Sequence, residues 1–237
     1  MSLFTFALDQ SEEGPTNMAR DIALLDAAEQ GQPGCRVYSW NGPWVSLGRF
    51  QRPADALVDP EHTNFVIRPT GGKAVLHGHD VTVGLALPIP SPNGRGPVPG
   101  GNWGEGIRPS IKKAYTEVTK PLIAAMRACG LPATLAADTK FAGRGPRVAD
   151  CFAHISPNDI VDERTGIKVC GCALRLTQSA VLIQASIPAG KPLVDASRII
   201  RDASPQPRIT WQPAGFPDAL KSALHSEFGH AFGQIED

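Results

Sequence analysis

The stretch Arg68-Pro-Thr-Gly-Gly-Lys-Ala-Val-Leu-His77 carries two adjacent glycines, a cation on each side of them and a histidine at its end. It lies between two apolar runs, residues 65–67 and 81–87, that predict strands. Adjacent glycines adopt positive φ and let the backbone approach a ligand, and the N–H groups of such a turn can hold a carbonyl or a phosphate. A tight hairpin with exposed charges is the alternative interpretation, because Gly-Gly is also common in turns.

The second candidate for chemistry is a cysteine in an irregular stretch, Cys151, which Lys168 follows seventeen residues later. A catalytic thiol needs cations nearby, because the thiolate is the nucleophile and a positive charge stabilises it. On composition alone an inert cysteine is the more common case, so the thiol is a candidate only. The candidate neighbours of this thiol are Arg144, Arg147, His154 and Lys168.

Two further clusters invite a metal interpretation, and neither completes a ligand set. Cys170-Gly-Cys172 lacks a second Cys/His pair at the spacing of a zinc site, and the period of a strand places both thiols on one face, so packing is favoured. His77, His79 and Asp80 have no obvious acidic or histidine partner elsewhere in the chain. The glycine-rich segment 100–106 does not follow a clear strand and indicates a nucleotide loop only weakly. The sequence therefore predicts no metal.

Composition argues against several classes of function. The 237 residues contain 23 Lys+Arg and 23 Asp+Glu, so the net charge is zero and nothing draws the whole chain to nucleic acid or to a membrane. The N-terminus lacks a basic segment followed by an apolar run, and no stretch of about 18 apolar residues occurs. Five cysteines without regular spacing predict reduced thiols. We expect a cytoplasmic protein with a single domain, residues 1–237.

The hydrophobic pattern predicts both helices and strands. One side of a C-terminal helix is predicted by four apolar residues that recur at every fourth position, Leu220, Leu224, Phe228 and Phe232. The turn signal Asn41-Gly-Pro43 predicts a hairpin between the runs 35–39 and 44–47. The remaining predictions are helices at residues 17–30 and 109–129, strands at 3–8, 160–161, 167–176 and 180–187, and a Pro/Gly-rich loop at 88–106.

Taken together, these segments resemble the cysteine-dependent octanoyltransferases of the lipoate/biotin protein ligase superfamily over most of the chain. The glycine stretch is similar to that family's substrate loop, Arg-x-Thr-Gly-Gly-Arg-Ala-Val-Leu-His, and Cys151-Phe152 lies where these transferases carry their acyl-accepting cysteine. Gly166-Ile-Lys168, Gly171 and Ala173 resemble the strand that carries their lysine. The family's first helix and hairpin are resembled by Asn17-Met-Ala-Arg-Asp-Ile-Ala-Leu-Leu25, Arg36-Val-Tyr-Ser-Trp40 and Val45-Ser-Leu-Gly-Arg-Phe-Gln51.

The resemblance implies an α+β (mixed α/β) domain, in which a mixed β-sheet is flanked by helices and an acyl chain lies in an apolar tunnel beside the glycine loop. It implies that octanoyl passes from acyl carrier protein to Cys151, and then to a lysine of a lipoyl domain or of the glycine cleavage H protein. Lys168 would stabilise the oxyanion, and His77 would either relay a proton or brace the loop. No ATP or other cofactor is implied, and a monomer is the working expectation. The implied substrate-binding residues are Arg68, Thr70, Gly71, Gly72, Lys73, Ala74, His77, Gly171 and Ala173.

Several positions depart from the family's pattern and keep alternatives open. Cys172 replaces a serine, Gln184-Ala185 replaces His-Gly, and Pro69 and Lys73 alter the flanks of the loop. One alternative is an ATP-dependent lipoate–protein ligase using ATP and Mg²⁺, which is disfavoured because Asp80-Val-Thr82 stands where such ligases read His-Asp-x-Gly-Asn. The resemblance also implies a single catalytic domain with no accessory C-terminal domain of the kind those ligases carry, although a separate subunit could supply one. The other is a binding module that holds an acylated carrier or a lipoyl domain without turnover. A biotin ligase is disfavoured because its loop is of the Gly-Arg-Gly-Arg type.

Overall fold

The computed structural model describes residues 3–89, 110–203, 215–233 and 235–236. Its helices are α1 Gly14–Glu29, α2 Pro53–Ala56, α3 Ile111–Ala128 and α4 Phe216–Phe232. Its strands are β1 Phe4–Leu8, β2 Gly34–Tyr38, β3 Trp44–Leu47, β4 Phe65–Ile67, β5 Val75–His77, β6 Asp80–Pro88, β7 Ala133–Leu135, β8 Ile160–Asp162, β9 Lys168–Leu176, β10 Ala180–Pro188 and β11 Ile235–Glu236.

The strands form two sheets. The larger sheet has eight strands in the order β11-β1-β2-β6-β10-β9-β8-β7, and the smaller has three in the order β4-β3-β5. In the larger sheet β1 runs parallel to β2 and to β11, whereas the other neighbours are antiparallel. The smaller sheet is also mixed, since β3 is parallel to β4 and antiparallel to β5. The prediction of a mixed sheet flanked by helices is confirmed.

The two faces of the large sheet pack against different helices. Val83 of β6 and Ile183 of β10 belong to the main core together with residues of α3 and α4. Ala86 and Leu182, an odd number of positions away on the same strands, pack against Leu25 of α1. Because side chains alternate along a strand, even-numbered residues of β6 and β10 face α1. The candidate site lies on this α1 face.

The C-terminal helix is as the sequence predicts. All four residues of its apolar side, spaced by four, are buried in the main core of the protein, namely Leu220, Leu224, Phe228 and Phe232. The third helix begins after Ser110, whose hydroxyl caps it by accepting from the Lys113 amide at 3.2 Å, and it continues through Pro121. No helix among the described ranges combines the length and the hydropathy needed to cross a bilayer.

One local prediction was wrong. Residues 35–39 and 44–47 do form strands, but β2 pairs with β1 and β6 while β3 pairs with β4 and β5, so the two strands do not form a hairpin. Gly42 has a φ of 85° in the turn between them. The turn residues fix a change of chain direction, but the pairing partner of each strand is decided elsewhere. The predicted loop at 88–106 and the segment 100–106 lie largely outside the described residues.

Candidate active site

The glycine loop and the candidate nucleophile are joined by main-chain hydrogen bonds. The Cys151 amide donates to the Ala74 carbonyl at 2.8 Å, and the Ala74 amide donates to the Ala149 carbonyl at 2.9 Å. Cys151 opens a short 3₁₀ turn, Cys151–Ala153, which Asp150 caps by accepting from the Phe152 amide at 3.1 Å. The half-buried thiol is therefore held at the edge of the loop by backbone geometry, not by side-chain contacts alone.

Lys168 contacts this thiol directly. Its Nζ lies 3.2 Å from Cys151 Sγ and 2.8 Å from the Cys151 carbonyl oxygen. The same ammonium pairs with the buried Asp159 carboxylate at 2.9 Å. Burial by itself lowers the pKa of Lys168, but the negative charges of Cys151 and Asp159 outweigh it and raise that pKa above its usual range. The lysine therefore stays an ammonium in the free protein, and the structure brings together two residues whose separation the sequence leaves open.

The other predicted neighbours of the thiol have separate contacts. The His154 carbonyl accepts from Lys168 Nζ at 3.4 Å, whereas the imidazole of His154 is bonded to the Gly145 carbonyl at 2.9 Å. The exposed Arg144 guanidinium lies 4.8 Å from the centre of the Phe141 ring. Their contacts fix the shape of the loop around Cys151.

Arg68 braces the glycine loop from within. Its buried guanidinium donates to the Gly71 carbonyl at 2.7 Å and to the Lys73 carbonyl at 2.8 Å. It also donates to the Ser46 carbonyl at 2.8 Å and to the Thr70 hydroxyl at 3.2 Å. These bonds fold the loop around the guanidinium, with Gly72 between them at a φ of 87°. Of the residues implied to bind substrate, Arg68 acts mainly on the loop itself.

His77 has both ring nitrogens engaged. Nδ1 donates to the Asp80 carboxylate at 2.7 Å, since a carboxylate can only accept, and Nε2 is bonded to the Ser46 hydroxyl at 2.8 Å. The ring also stacks on Trp40 at 4.0 Å. Although burial opposes ionisation, His77 and a hydrogen bond from Ser186 lower the pKa of Asp80 to about 2. Of the two roles left open by the sequence, this geometry favours bracing the loop over relaying a proton.

A pocket lies between the two sheets and reaches the thiol. It encloses about 400 Å³ of space, counting the part open to solvent. Gly171 lines it, and a Cβ at that position would lie only 3.3 Å from Cys151 Sγ. Ala173 lies opposite Gln184 in the register of β9 and β10. The other lining residues are Met18, Tyr38, Trp40, Ser46, Arg68, Gly72, Val75, His77, Thr82, Cys151, Cys172, Ala185 and Ser186.

The sequence did not predict the contacts of Gln184, and it did not single out Asp159 as a candidate site residue. Gln184 accepts from the Thr70 hydroxyl at 2.6 Å and donates to the buried Asp21 carboxylate of α1. Asp21 in turn pairs with Arg36 at 2.7 Å. Burial raises the pKa of Asp21 despite that partner. A glutamine inside an otherwise apolar strand is the signal that pointed to Gln184, whereas nothing near Asp159 in sequence pairs it with Lys168.

The side chains of Cys170 and Cys172 lie on the main-core face of β9, and Cys172 also borders the pocket. The two sulfurs are 3.6 Å apart, so the prediction that they share a face is confirmed. Cys170 is part of the main core and Cys172 packs against it. All five cysteines are free thiols. In the part of the chain that the structure describes, no group of three metal-ligating side chains occurs.

The structure brings together a mixed sheet, a glycine loop beside a pocket, and a thiol paired with an ammonium. Comparison with known families identifies the family that shares this scaffold. The family model of the lipoyl protein ligase A/B catalytic domain matches residues 13–222. The chain belongs to this family, and the resemblance read from the sequence is confirmed.

Curated relatives in the family are octanoyltransferases. Octanoyltransferase LipM of Halalkalibacterium halodurans is 31% identical over 191 residues, which cover 76% of this chain and 64% of that protein. The enzyme of the same name from Kyrpidia tusciae is 33% identical over 182 residues, covering 72% of this chain and 60% of that protein. The chain thus spans less than two thirds of the length of these relatives.

Solved structures of lipoate protein ligases share the fold. Lipoate-protein ligase A bound with ATP superposes with a TM-score of 0.70 at 17% identity, covering 100% of this chain and 90% of that one. The bi-partite lipoate protein ligase of Thermoplasma acidophilum, solved in a study of an archaeal lipoylation system, gives 0.65 at 16% identity, covering 100% and 88%. At this identity the likeness establishes the fold.

Proposed function

We propose that this protein is an acyltransferase that moves an octanoyl-type chain through a thioester on Cys151. The donor is the thioester of an acyl carrier protein, and the acceptor is a lysine of a lipoyl domain or of a glycine cleavage H protein. The observation that carries the proposal is the 3.2 Å contact between Lys168 Nζ and Cys151 Sγ beside the pocket. The family relationship supports it, because the relatives are octanoyltransferases.

In the first half-reaction the Cys151 thiolate attacks the carbonyl carbon of the donor thioester. A C–S bond forms to Cys151, and the bond to the carrier thiol breaks. Lys168 stays protonated at its contact with Cys151, so its ammonium is placed to stabilise the oxyanion of the tetrahedral intermediate. Such a donor is worth roughly 3 kcal/mol where water is excluded. Asp159 holds the ammonium in position at 2.9 Å.

In the second half-reaction the amine of the acceptor lysine attacks the Cys151 thioester. Exchange between two thioesters is nearly balanced in free energy, whereas formation of the amide is downhill and traps the product. No ATP is needed, because the donor is already activated. The apolar part of the pocket wall, from residues such as Met18, Val75 and Ala173, suits the alkyl chain. We place the reaction in the cytoplasm, where five free thiols stay reduced.

The first experiment is intact-protein mass spectrometry after incubation with octanoyl-acyl carrier protein. We expect the wild type to gain one octanoyl group that hydroxylamine removes and that apo-H protein discharges. Cys151→Ala should gain none. Cys129→Ala is the matched control, because Cys129 is a half-buried thiol at the end of α3 whose pKa is raised by burial, and it should behave as wild type.

Three outcomes contradict the proposal. An adduct of the same yield on Cys151→Ala would remove that thiol from the mechanism. Absence of any adduct on the wild type, together with modification of the acceptor only when free lipoate and ATP are supplied, would assign the chain to the ligases instead. Carrier binding without an adduct or acceptor modification would indicate the binding module.

A further inference from the structure

Phe50 is the most exposed large apolar side chain among the residues that the structure describes, with 81% of its surface open to solvent. It lies in the segment 48–51, directly after β3. The Arg49 guanidinium, also exposed, lies 4.6 Å from the centre of its ring. A single exposed aromatic residue is ordinary on a protein surface, so its meaning depends on how it is held and on what surrounds it.

Hydrogen bonds fix the segment that carries this ring. The Gly48 amide donates to the Gln51 side chain at 3.0 Å, and the Gln51 amide donates back to the Gly48 carbonyl at 2.8 Å. The Gln51 side chain also donates to the Ala149 carbonyl at 3.3 Å. The Arg49 amide donates to the Thr70 carbonyl at 3.0 Å. The exposed ring is therefore carried by a loop of fixed conformation.

The segment lies at the open end of the pocket. Gly48 packs so closely on the glycine loop that a Cβ there would overlap the Gly72 carbonyl. Gly72 is exposed and also lines the pocket. Ala149, which accepts from this segment, lies two residues before Cys151. A partner that contacts the exposed ring is therefore held at a defined position relative to the thiol.

A second exposed arginine belongs to the same region. Arg147 lies four residues before Cys151. Burial lowers the pKa of Lys73, and the positive charge of Arg147 lowers it further, so this guanidinium lies near the glycine loop. None of the ion pairs between described residues involves Arg49 or Arg147. The carboxylate nearest to Arg147 along the chain, Asp150, is buried and caps a turn.

The exposed rim formed by Arg49, Phe50 and Arg147 suits the acyl donor better than the acceptor. A carrier-bound acyl group hangs from a phosphopantetheine arm, whose phosphodiester is an anion. The fork of an arginine matches phosphate oxygens and is always charged in a protein. The acceptor instead brings an ammonium to the same opening, which two arginines repel. An aromatic side chain beside arginines is also a common anchor for a protein partner.

We propose that this rim is the docking surface for the acyl donor. The two arginines receive the phosphodiester of the phosphopantetheine arm, and Phe50 packs against the carrier protein. The inference rests on the proposed function and adds to it the surface that selects the donor. Docking breaks no bond, because it only brings the thioester of the arm to Cys151. The free arm leaves after the transfer, and the acceptor then enters by the same opening.

The test compares three donors that carry the same octanoyl thioester. Octanoyl-acyl carrier protein presents both the phosphate and the protein, octanoyl-phosphopantetheine presents the phosphate alone, and octanoyl-pantetheine presents neither. Adduct formation on Cys151 is followed by intact-protein mass spectrometry. We expect Arg49→Gln/Arg147→Gln to react at least about tenfold more slowly with the first two donors and at the wild-type rate with octanoyl-pantetheine. Phe50→Ala should slow only the reaction with octanoyl-acyl carrier protein.

A matched control removes two positive charges elsewhere. Lys120→Gln/Lys221→Gln changes the net charge equally, but these lysines lie on α3 and α4, which pack on the face of the large sheet opposite the site. This variant should match the wild type with all three donors. The rim variants should discharge to apo-H protein at the wild-type rate, because the donor has already left. Their melting temperatures should also be unchanged, since the substituted side chains are exposed.

Three results of the kinetic comparison would overturn the docking surface. Equal slowing with all three donors would mean that the arginines shape the active site itself. Wild-type rates of the double rim variant with every donor would mean that the rim contributes nothing. Slower discharge with unchanged acylation would assign the rim to the acceptor.

A binding measurement separates docking from chemistry. Octanoyl-acyl carrier protein is titrated into Cys151→Ala, with and without the two arginine substitutions. We expect the substitutions to raise Kd at least about tenfold, and an equal Kd would overturn the docking surface. Failure of the wild type to form any adduct, with binding still weakened by the substitutions, would overturn the proposed function and leave the docking surface in place.

Discussion

Two corners of the pocket are built from the same kind of interaction and do different things. The scaffold corner consists of Ser46, His77 and Asp80, with a histidine–carboxylate contact of 2.7 Å. The thiol corner consists of Cys151, Asp159 and Lys168, with a lysine–carboxylate contact of 2.9 Å. Both contacts are buried. In each corner the carboxylate fixes a nitrogen-bearing side chain in one orientation.

The corners differ in what the fixed side chain touches next. His77 contacts the Ser46 hydroxyl, which also accepts from Arg68 at 3.2 Å, so that corner continues into the brace of the glycine loop. Lys168 contacts a half-buried thiol at the edge of a pocket. A buried contact between a carboxylate and a nitrogen-bearing side chain is therefore not in itself a mark of catalysis. The third partner decides whether the pair holds the fold or prepares a reaction.

The largest effect is expected from breaking the thiol corner. Lys168→Met removes the oxyanion donor, so adduct formation on Cys151 should slow by about 10²-fold. It also leaves the Asp159 carboxylate buried without its cation, which should cost about 3 kcal/mol of unfolding free energy. Single-turnover acylation and denaturant unfolding measure the two effects.

A double variant separates stability from chemistry in that corner. Lys168→Met combined with Asp159→Asn removes the unpaired charge, so most of the lost stability should return while acylation stays slow. Recovery of both together would show that Lys168 acts only on the fold, and the distinction between the two corners would disappear.

The next effect is expected from the scaffold corner and depends on pH. The pKa of Asp80 is lowered to about 2 from an ordinary 3.8, so its ionised form stabilises the folded state above the ordinary value. That contribution is about 2–3 kcal/mol near neutral pH and is lost as the pH falls through about 2. Asp80→Asn should therefore be less stable than the wild type at neutral pH, and the difference should shrink between pH 4 and 2. Denaturant unfolding over this range measures it.

An exposed ion pair with the same nitrogen–oxygen distance provides the control for that prediction. Arg52 and Asp55 are also 2.7 Å apart, but both side chains are exposed, so Arg52→Ala should leave the melting temperature unchanged within error. A constant difference between wild type and Asp80→Asn down to pH 2 would contradict the assignment of the stability to the Asp80 charge.

The smallest effect is expected where α1 is tied to the glycine loop. Gln184→Leu keeps the size of the side chain but removes the link between Thr70 and the buried Asp21, so it should cost about 1–2 kcal/mol. Gln178→Leu, at an exposed position in the turn before β10, is the control and should be close to neutral. Thermal unfolding compares them. Equal melting temperatures for the two variants would mean that the link contributes nothing.

Much of the fold is predictable because its signals are local. The spacing of Leu220, Leu224 and Phe228 predicts α4, and apolar, β-rich runs predict strands within about a residue of β6, β9 and β10. The glycine loop and Cys151 stand out from their surroundings in the sequence, and the family relationship follows from the order of these segments. Periodicity and residue type carry this information along the chain itself.

Other features were not predictable because they depend on pairing over long distances. The turn at Gly42 predicts that the chain reverses, but β2 and β3 enter different sheets. Gln184 was noted as a departure from the family pattern, yet its link between Thr70 and Asp21 spans 114 and 163 residues. Side chains so far apart meet only through the register of strands and the docking of a helix.

The sequence by itself determined the elements, the family, the glycine loop and the candidate thiol, because residue type and spacing specify these locally. Only the tertiary structure decided that Lys168 contacts Cys151 and is held by Asp159, and that His77 and Arg68 face into the loop. It also decided that the Lys73 amine is buried with no hydrogen-bond partner among the described residues. Burial and distance set the charge of each of these groups, and both arise only when the sheets and α1 come together.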